Sequence, residues 1–358
     1  MAGMASAMVV ANVAVAPSQL TGGGDGLFAL RTFQDGDSIV KEPFVARLEA
    51  KAFEAQDLDL LAEAHARLAE SGQRDLVLHS AAGRALYRGP PDDPRRDAFS
   101  QCAAWALPEG SAEDKAASAE AMLVFSYNAY ASSPGGHYQM LYHLISKANH
   151  SCVANASVAA HESELGELVC VRPIHIGDEV TTSYLEGTDL LRPTEQRQTL
   201  LRQGWEFVCS CPRCASSVDD ARRFTCCAGT CSALRTGSAL GLAVTPCDVC
   251  GTTPPAVVLE TWGQAEQHVE ALLSSLPAGL YSAWAACEEF AQSHPLHWLS
   301  GHWKLHIAEH VEVESAQADE ETEADGLREE AAAHRAAFKR CLDATIAGRG
   351  HPFPEATA

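Results

Sequence analysis

Three cysteines fall within six residues, Cys209-x-Cys211-x-x-Cys214, and this spacing constrains what the 358-residue chain can fold into more than any other feature. It can set three thiolates around one tetrahedral zinc, whereas disulfide geometry is hard to satisfy across so short a stretch. A structural zinc site closes with a fourth protein ligand. Cys152, His150 and Cys170 are the nearby residues able to supply it, and whichever returns ties two remote segments together.

A second group, Cys226, Cys227, Cys231, Cys247 and Cys250, ends in the zinc-ribbon knuckle Cys-Asp-Val-Cys-Gly. Two knuckles joined by a loop make a closed site, read here as Cys226, Cys231, Cys247 and Cys250, with Cys227 able to replace Cys226. The thirteen cysteines are an odd number at metal-like spacings, which places the protein in a reducing, intracellular compartment, cytoplasmic and/or nuclear. The first twenty residues hold no Lys or Arg, so they lack the charged start of a secretory signal, and no apolar run suits a membrane span. A net charge of −21 disfavours nucleic-acid phosphate and makes basic protein tails the more natural partners. Much of the acidity lies in Glu312 to Glu330, which reads as a solvated connector between the last helices.

Along the chain, strand-like stretches at Met8–Ala16 and Ser38–Leu48 give way to helical spacing at Phe53, Leu58, Leu61, Ala64 and Leu68. A Pro- and charge-rich linker covers residues 88–97, and helical patterning resumes near Ala112. Strands return at Asn155–Ala160, Leu168–Val171 and Glu179–Tyr184. From Val257 the chain is helical, with Trp262, His268 and Leu272 on one stripe and Trp303, His306 and His310 on another. His302, His306 and His310 share a helix face but lack the acidic residue of a catalytic His-Glu-x-x-His site, so no metal is assigned there.

Asn149-His150-Ser151-Cys152-Val153-Ala154-Asn155, then Gly177-Asp178-Glu179-Val180-Thr181-Thr182-Ser183-Tyr184, then the three-cysteine tail, resemble the SET-domain protein lysine methyltransferases, the SMYD branch most closely. Gly24-Asp25-Gly26-Leu27-Phe28-Ala29, Asn128 and Trp205-x-Phe207-x-Cys209 stand in the same family order. The resemblance implies an α+β fold: a β-rich SET domain of β-clip type with a knotted substructure, built from residues 1–48 and 126–208. It also implies a helical insertion at 49–125, a post-SET zinc region at 209–252 and a tetratricopeptide-like helical domain at 253–358. Cys102 is the one cysteine between residues 49 and 125, so the MYND zinc module of SMYD relatives is absent.

The same resemblance implies S-adenosylmethionine as cofactor, two zinc ions, and a protein substrate with a target lysine, histone or not. The C-terminal helices become a surface for protein partners. By position, Gly24, Asp25, Gly26, Asn128, Asn149, His150, Tyr184 and Phe207 line the cofactor pocket, and Tyr184, Trp205 and Phe207 the lysine channel. Tyr184 is the catalytic residue, and Cys152 the fourth ligand beside Cys209, Cys211 and Cys214. Three positions depart from the pattern: Gly23 where relatives often carry a basic residue, Ala154 for proline, and Trp205 for a second tyrosine.

Two rival readings accompany this one. Gly24-x-Gly26-x-x-Ala29 also fits a dinucleotide fingerprint, but Gln34-Asp35-Gly36-Asp37 interrupts the long helix that such a site requires. The departures at Gly23, Ala154 and Trp205 suit a SET-fold, zinc-stabilised interaction module of little or no catalytic power. Retention of Tyr184, Asn149 and His150 favours the enzyme.

Overall fold

The computed structural model of the chain describes residues 9–10, 12–20, 24–49, 58–132, 138–160, 165–185, 187–216, 218–228, 234–237, 246–247, 249–275, 280–318 and 321–346. Gly23 and Cys231 lie outside the described residues. The chain is α+β and divides into two compact units, one up to Thr182 and one from Ser183.

The first unit begins with strands β1 (Val9–Val10), β2 (Val13–Pro17), β3 (Asp25–Ala29), β4 (Ser38–Pro43) and β5 (Ala46–Glu49). Five helices follow: α1 (Leu58–Glu70), α2 (Gln73–His79), α3 (Ala81–Arg84), α4 (Arg95–Ala106) and α5 (Ala112–Asn128). The unit closes with β6 (Tyr130–Ala131), β7 (Tyr138–Leu141), β8 (Asn149–His150), β9 (Ala156–Ala160), β10 (Leu165–Cys170) and β11 (Glu179–Thr182). Its sheets run β1-β2-β3-β11-β8, β4-β10-β9 and β5-β7-β6.

One core joins these sheets: Val13, Leu27, Phe33, Met140, Tyr142, Leu168 and Val180 are fully buried. Leu27 sits in the strand that carries Gly26, and burying such a side chain contributes about 1.5–3 kcal/mol. β11 is the keystone of the first sheet. It pairs antiparallel with β3, Val180 opposite Leu27, and parallel with β8, Thr181 opposite Asn149 and Thr182 opposite His150. Three segments far apart in sequence therefore lie side by side.

Ser111 and Asp114 form a reciprocal capping box that starts α5, which is why helix resumes at Ala112. Before it, the buried Asp93 carboxylate accepts from Tyr127 Oη at 2.7 Å and from the Arg95 backbone N–H at 2.8 Å. The stretch read as a linker at 88–97 thus holds only a turn and runs into α4 from Arg95. The sequence signal for α4 is weak because only Phe99, Cys102 and Ala103 turn inward, while Trp105 lies 59% exposed. The expected strand Ser38–Leu48 is broken at Phe44 and Val45 into β4 and β5.

The second unit holds α6 (Gly187–Leu191), α7 (Thr194–Trp205), the antiparallel pair β12 (Val218–Phe224) and β13 (Leu234–Gly237), then α8 (Ala256–Ser274), α9 (Leu280–Ser293), α10 (Trp298–Gln317) and α11 (Glu321–Thr345). On α8 the inward positions are Trp262, Glu266 and Val269, and His268 is exposed. On α10 they are Trp303, Ile307, Ala308 and Val311, with His306 and His310 only partly buried. Most of the acidic run is helical and not a connector: Glu312 ends up on α10 and Glu321 opens α11. Glu312 is paired with Arg335 of α11 at 2.6 Å, so charges that read as solvated face each other between two helices.

An ion cluster lies in this unit under the stacked rings of Phe224 and Trp262, whose centroids are 4.9 Å apart. Glu266 accepts from Arg222 Nε at 2.8 Å and faces His297 Nε2 at 3.3 Å. Burial raises the Glu266 carboxyl, but His297 and Arg222 outweigh it and hold the group at about 2 against an ordinary 4.5. Burial lowers His294 and His302 from 6.5 to about 4, so both are neutral at pH 7.

A histidine depressed in the folded state binds its proton more readily once unfolded. Its stabilisation is full above pH 6.5 and is lost as pH falls toward 4. Between pH 7 and pH 5 each of the two should cost about 1–2 kcal/mol. Tm measured against pH is expected to fall across this window, and His302→Gln should flatten the slope. A Tm independent of pH from 7 to 5 would contradict the neutral, buried assignment.

Candidate cofactor turn and metal-binding cysteines

The glycines at the start of β3 differ in what they permit. Gly24 holds φ at 122°, a region that side chains disfavour, and a Cβ there would meet nothing within 4 Å. The turn is open to a ligand on that side. A Cβ on Gly26 would instead run into the Glu179 carboxylate and crowd Ser18 Cβ, so a side chain there would displace Glu179 from its place in the corner.

Glu179, on β11, organises this corner. Its carboxylate accepts from Ser18 Oγ at 2.9 Å and from Asn149 Nδ2 at 2.8 Å. Asn149 Nδ2 also donates to the Asp25 carbonyl at 3.0 Å, which sets the Asn149 side chain directly on the glycine turn. Asn155 donates to the Glu179 carbonyl at 2.9 Å and accepts from Thr181 N–H at 2.8 Å, pinning the segment after β8 to β11. Residues expected to share a pocket, Gly24, Asp25, Gly26 and Asn149, are thus brought together within the first unit.

Asn128 has other commitments. At the end of α5 its side chain donates to the Tyr87 and Val124 carbonyls at 2.8 and 2.7 Å and accepts from Tyr87 N–H at 3.1 Å. Its carbonyl accepts from Ser146 Oγ at 3.0 Å. The side chain therefore ties the end of α5 to the segment at Tyr87. His150 is buried and turns Nε2 to Cys152 Sγ at 3.2 Å, while the Cys170 thiol donates to the Arg172 carbonyl at 2.7 Å.

Lys147 and Glu179 carried no role in the sequence reading. Glu42 accepts from Leu144 and Ile145 N–H, each at 2.7 Å, and so fixes the short 3-10 turn Ile145–Lys147. That turn delivers Lys147 Nζ to Asp25 Oδ2 at 3.3 Å and to the Ala85 carbonyl at 2.6 Å. The available signal was Lys147's position two residues before Asn149.

In the second unit Tyr184 packs between two aromatic rings: Trp205 at 5.2 Å between centroids and Phe207 edge-on at 6.2 Å. The close of α7 makes this possible. Glu206 takes a left-handed φ of 60°, alone among described non-glycine residues, and reverses the chain between Trp205 and Phe207. Such a conformation costs a non-glycine residue about 1–2 kcal/mol.

The same helix holds the cysteine loop. Gln198 donates to the Cys209 carbonyl at 2.7 Å and accepts from Cys209 N–H at 2.8 Å. Fully buried Arg197 donates to Cys214 Sγ at 3.4 Å, and Cys211 N–H points at Cys209 Sγ at 3.5 Å. N–H and guanidinium donors aimed at sulfur suit thiolates. The Sγ atoms of Cys209, Cys211 and Cys214 lie within 4.8 Å of one another, and none of the three is in a disulfide. Their donor set fits zinc.

A second group brings Cys226, Cys247 and Cys250 within the same distance, with Cys226 Sγ and Cys250 Sγ 3.7 Å apart. A tetrahedral site with Zn–S bonds of about 2.3 Å has an edge of about 3.8 Å, so this spacing fits the ion. Gly251, at φ 73°, forms the turn of the knuckle, and its N–H donates to the Cys247 carbonyl at 3.0 Å. Cys226 is buried in the group, whereas Cys227 is exposed.

Residues 24–185 match the SET domain family. Over 82 residues the chain is 39% identical to "Protein-lysine N-trimethyltransferase SMYD5" of Danio rerio, covering 23% of this chain and 20% of that protein. Over 72 residues it is 43% identical to "N-lysine methyltransferase SMYD2" of Rattus norvegicus, covering 20% and 16%. The matched stretch spans about a fifth of those relatives' length. The solved "Structure of Rubisco LSMT bound to AdoMet" aligns at 12% identity over 95% of this chain and 88% of that one, with a TM-score of 0.37. From Gly24 to Leu185 the chain thus matches the SET domain family, and it is similar in sequence to the SMYD proteins.

Proposed function

We propose that the chain is an S-adenosylmethionine-dependent protein lysine N-methyltransferase. The observation that carries this reading is the register of β11 against β3 and β8, which sets Asn149 on the open Gly24 to Gly26 turn within a SET-matching stretch. When bound, the cofactor supplies an electrophilic methyl group on sulfonium.

The protein's part is to bind, align and dehydrate. A lysine ammonium, with a reference pKa of about 10.4, must lose its proton before attack, and a narrow apolar channel favours the neutral amine. Tyr184, Trp205 and Phe207 form the aromatic wall of that channel. The Tyr184 hydroxyl orients the amine in line with the methyl. Trp205 brings an indole N–H and more bulk, which changes the room left for successive methylation. Gly24, Asp25, Gly26, Asn128, Asn149 and His150 bind the cofactor together with Phe207.

Two zincs complete the assignment. In the first site Cys152 joins Cys209, Cys211 and Cys214. Among the residues able to return, Cys170 is bonded to Arg172 and His150 turns to Cys152 itself, which supports the thiol of Cys152 as the donor. In the second, Cys226, Cys247 and Cys250 take Cys231 as fourth ligand. Residues 1–48 and 126–208 make the SET domain, 49–125 the helical insertion, 209–252 the post-SET zinc region and 253–358 a helical domain that receives protein partners. The substrate is a protein bearing a target lysine; nucleic acid is not a partner. Among the described residues no helix is long and apolar enough to cross a membrane.

The test is methyl transfer. Zinc-replete protein with labelled S-adenosylmethionine and a mixed protein substrate is expected to place methyl groups on lysine Nζ, located by peptide mass spectrometry. Cofactor binding without any methylated lysine would favour the interaction-module reading.

A further inference from the structure

We infer that Lys147 and Asp25 together form the receptor for the zwitterionic amino-acid end of the cofactor, Lys147 taking the carboxylate and Asp25 the ammonium. The inference rests on the methyltransferase reading and adds to it a residue that no part of that reading assigns.

Lys147 Nζ lies 3.3 Å from Oδ2 of Asp25, the residue that follows Gly24 in the turn. A lysine ammonium has three donors, and here the second goes to the Ala85 carbonyl at 2.6 Å, leaving one uncommitted among the described residues. The lysine side chain is 13% exposed, its stem covered by protein, while the aspartate is 53% exposed. Lys147 is not a chance surface cation: the Glu42-capped turn and the Ala85 carbonyl hold its position.

The chemistry matches charge for charge. A free amino acid end carries one carboxylate and one ammonium on the same carbon. Opening the Lys147–Asp25 pair to admit it exchanges one ion contact for two and strands no charge in the turn. A lone cation would leave the cofactor's ammonium unpaired, and a lone carboxylate would repel its acid group.

Calorimetry with two ligands tests this: S-adenosylhomocysteine, which has the zwitterion, and 5′-methylthioadenosine, which lacks it and is read by competition. Lys147→Met keeps the aliphatic stem and removes the charge. It is expected to weaken S-adenosylhomocysteine about tenfold or more, the scale of a lost charge-assisted hydrogen bond, and to leave 5′-methylthioadenosine within about twofold. Lys147→Arg should restore most of the loss. Unchanged S-adenosylhomocysteine binding in Lys147→Met, or equal weakening of both ligands, overturns the inference. Failure of the wild-type protein to bind S-adenosylhomocysteine is a separate result and overturns the methyltransferase reading beneath it.

Discussion

Stripping zinc is expected to abolish S-adenosylmethionine binding and to lower the Tm steeply. Metal affinity in small zinc modules amounts to about 10–16 kcal/mol of folding free energy, because no site exists in the unfolded chain. Gln198 fixes the loop's first cysteine, Arg197 touches its last, and Arg213 donates to the Leu190 carbonyl at 2.6 Å, but none of these contacts draws the thiol groups together as an ion would. Phe207 stands two residues before Cys209, so loss of the ion releases an aromatic assigned to the pocket wall.

The expected content is two zincs per chain, falling to one in Cys211→Ser, with S-adenosylmethionine affinity lost in parallel. Cys227→Ala, at an exposed position outside both sets, is the control and should change neither. Full cofactor affinity in chelated, metal-free protein would contradict the coupling of zinc to the pocket.

Tyr184→Phe is expected to cut kcat by about 10²–10³-fold, the usual scale for removing one polar group aimed at the reacting centre. The ring keeps its packing on Trp205 and Phe207, so Tm should hold and S-adenosylmethionine affinity should change little. This separation of kcat from binding and stability distinguishes a catalytic hydroxyl from a core tyrosine. A variant that methylates as fast as wild type would remove the hydroxyl from the mechanism.

Much of this was legible in the sequence because the signals were chemical rather than periodic. Thiol spacing announced both cysteine groups, and the glycines announced a turn whose φ at Gly24 demands one. The Asn149 to Asn155 motif lay where backbone pairing with β11 now sets it. What escaped was structure whose cause is distant in sequence. Glu179 reads as part of a turn until Ser18 and Asn149 converge on it. Lys147 reads as one more charge until Glu42 fixes its turn. Helix α4 buries too few residues to show a period, and β8 is two residues long and exists only through its partner. The stripe on α8 was misplaced because buried Glu266, paired with Arg222, looks polar to any pattern that equates polar with outward.

The open Gly24 to Gly26 turn is expected to take the cofactor. Titrating S-adenosylmethionine into zinc-replete protein by calorimetry is predicted to show saturable binding of one molecule per chain. Absence of binding in protein that carries its full zinc content would contradict it.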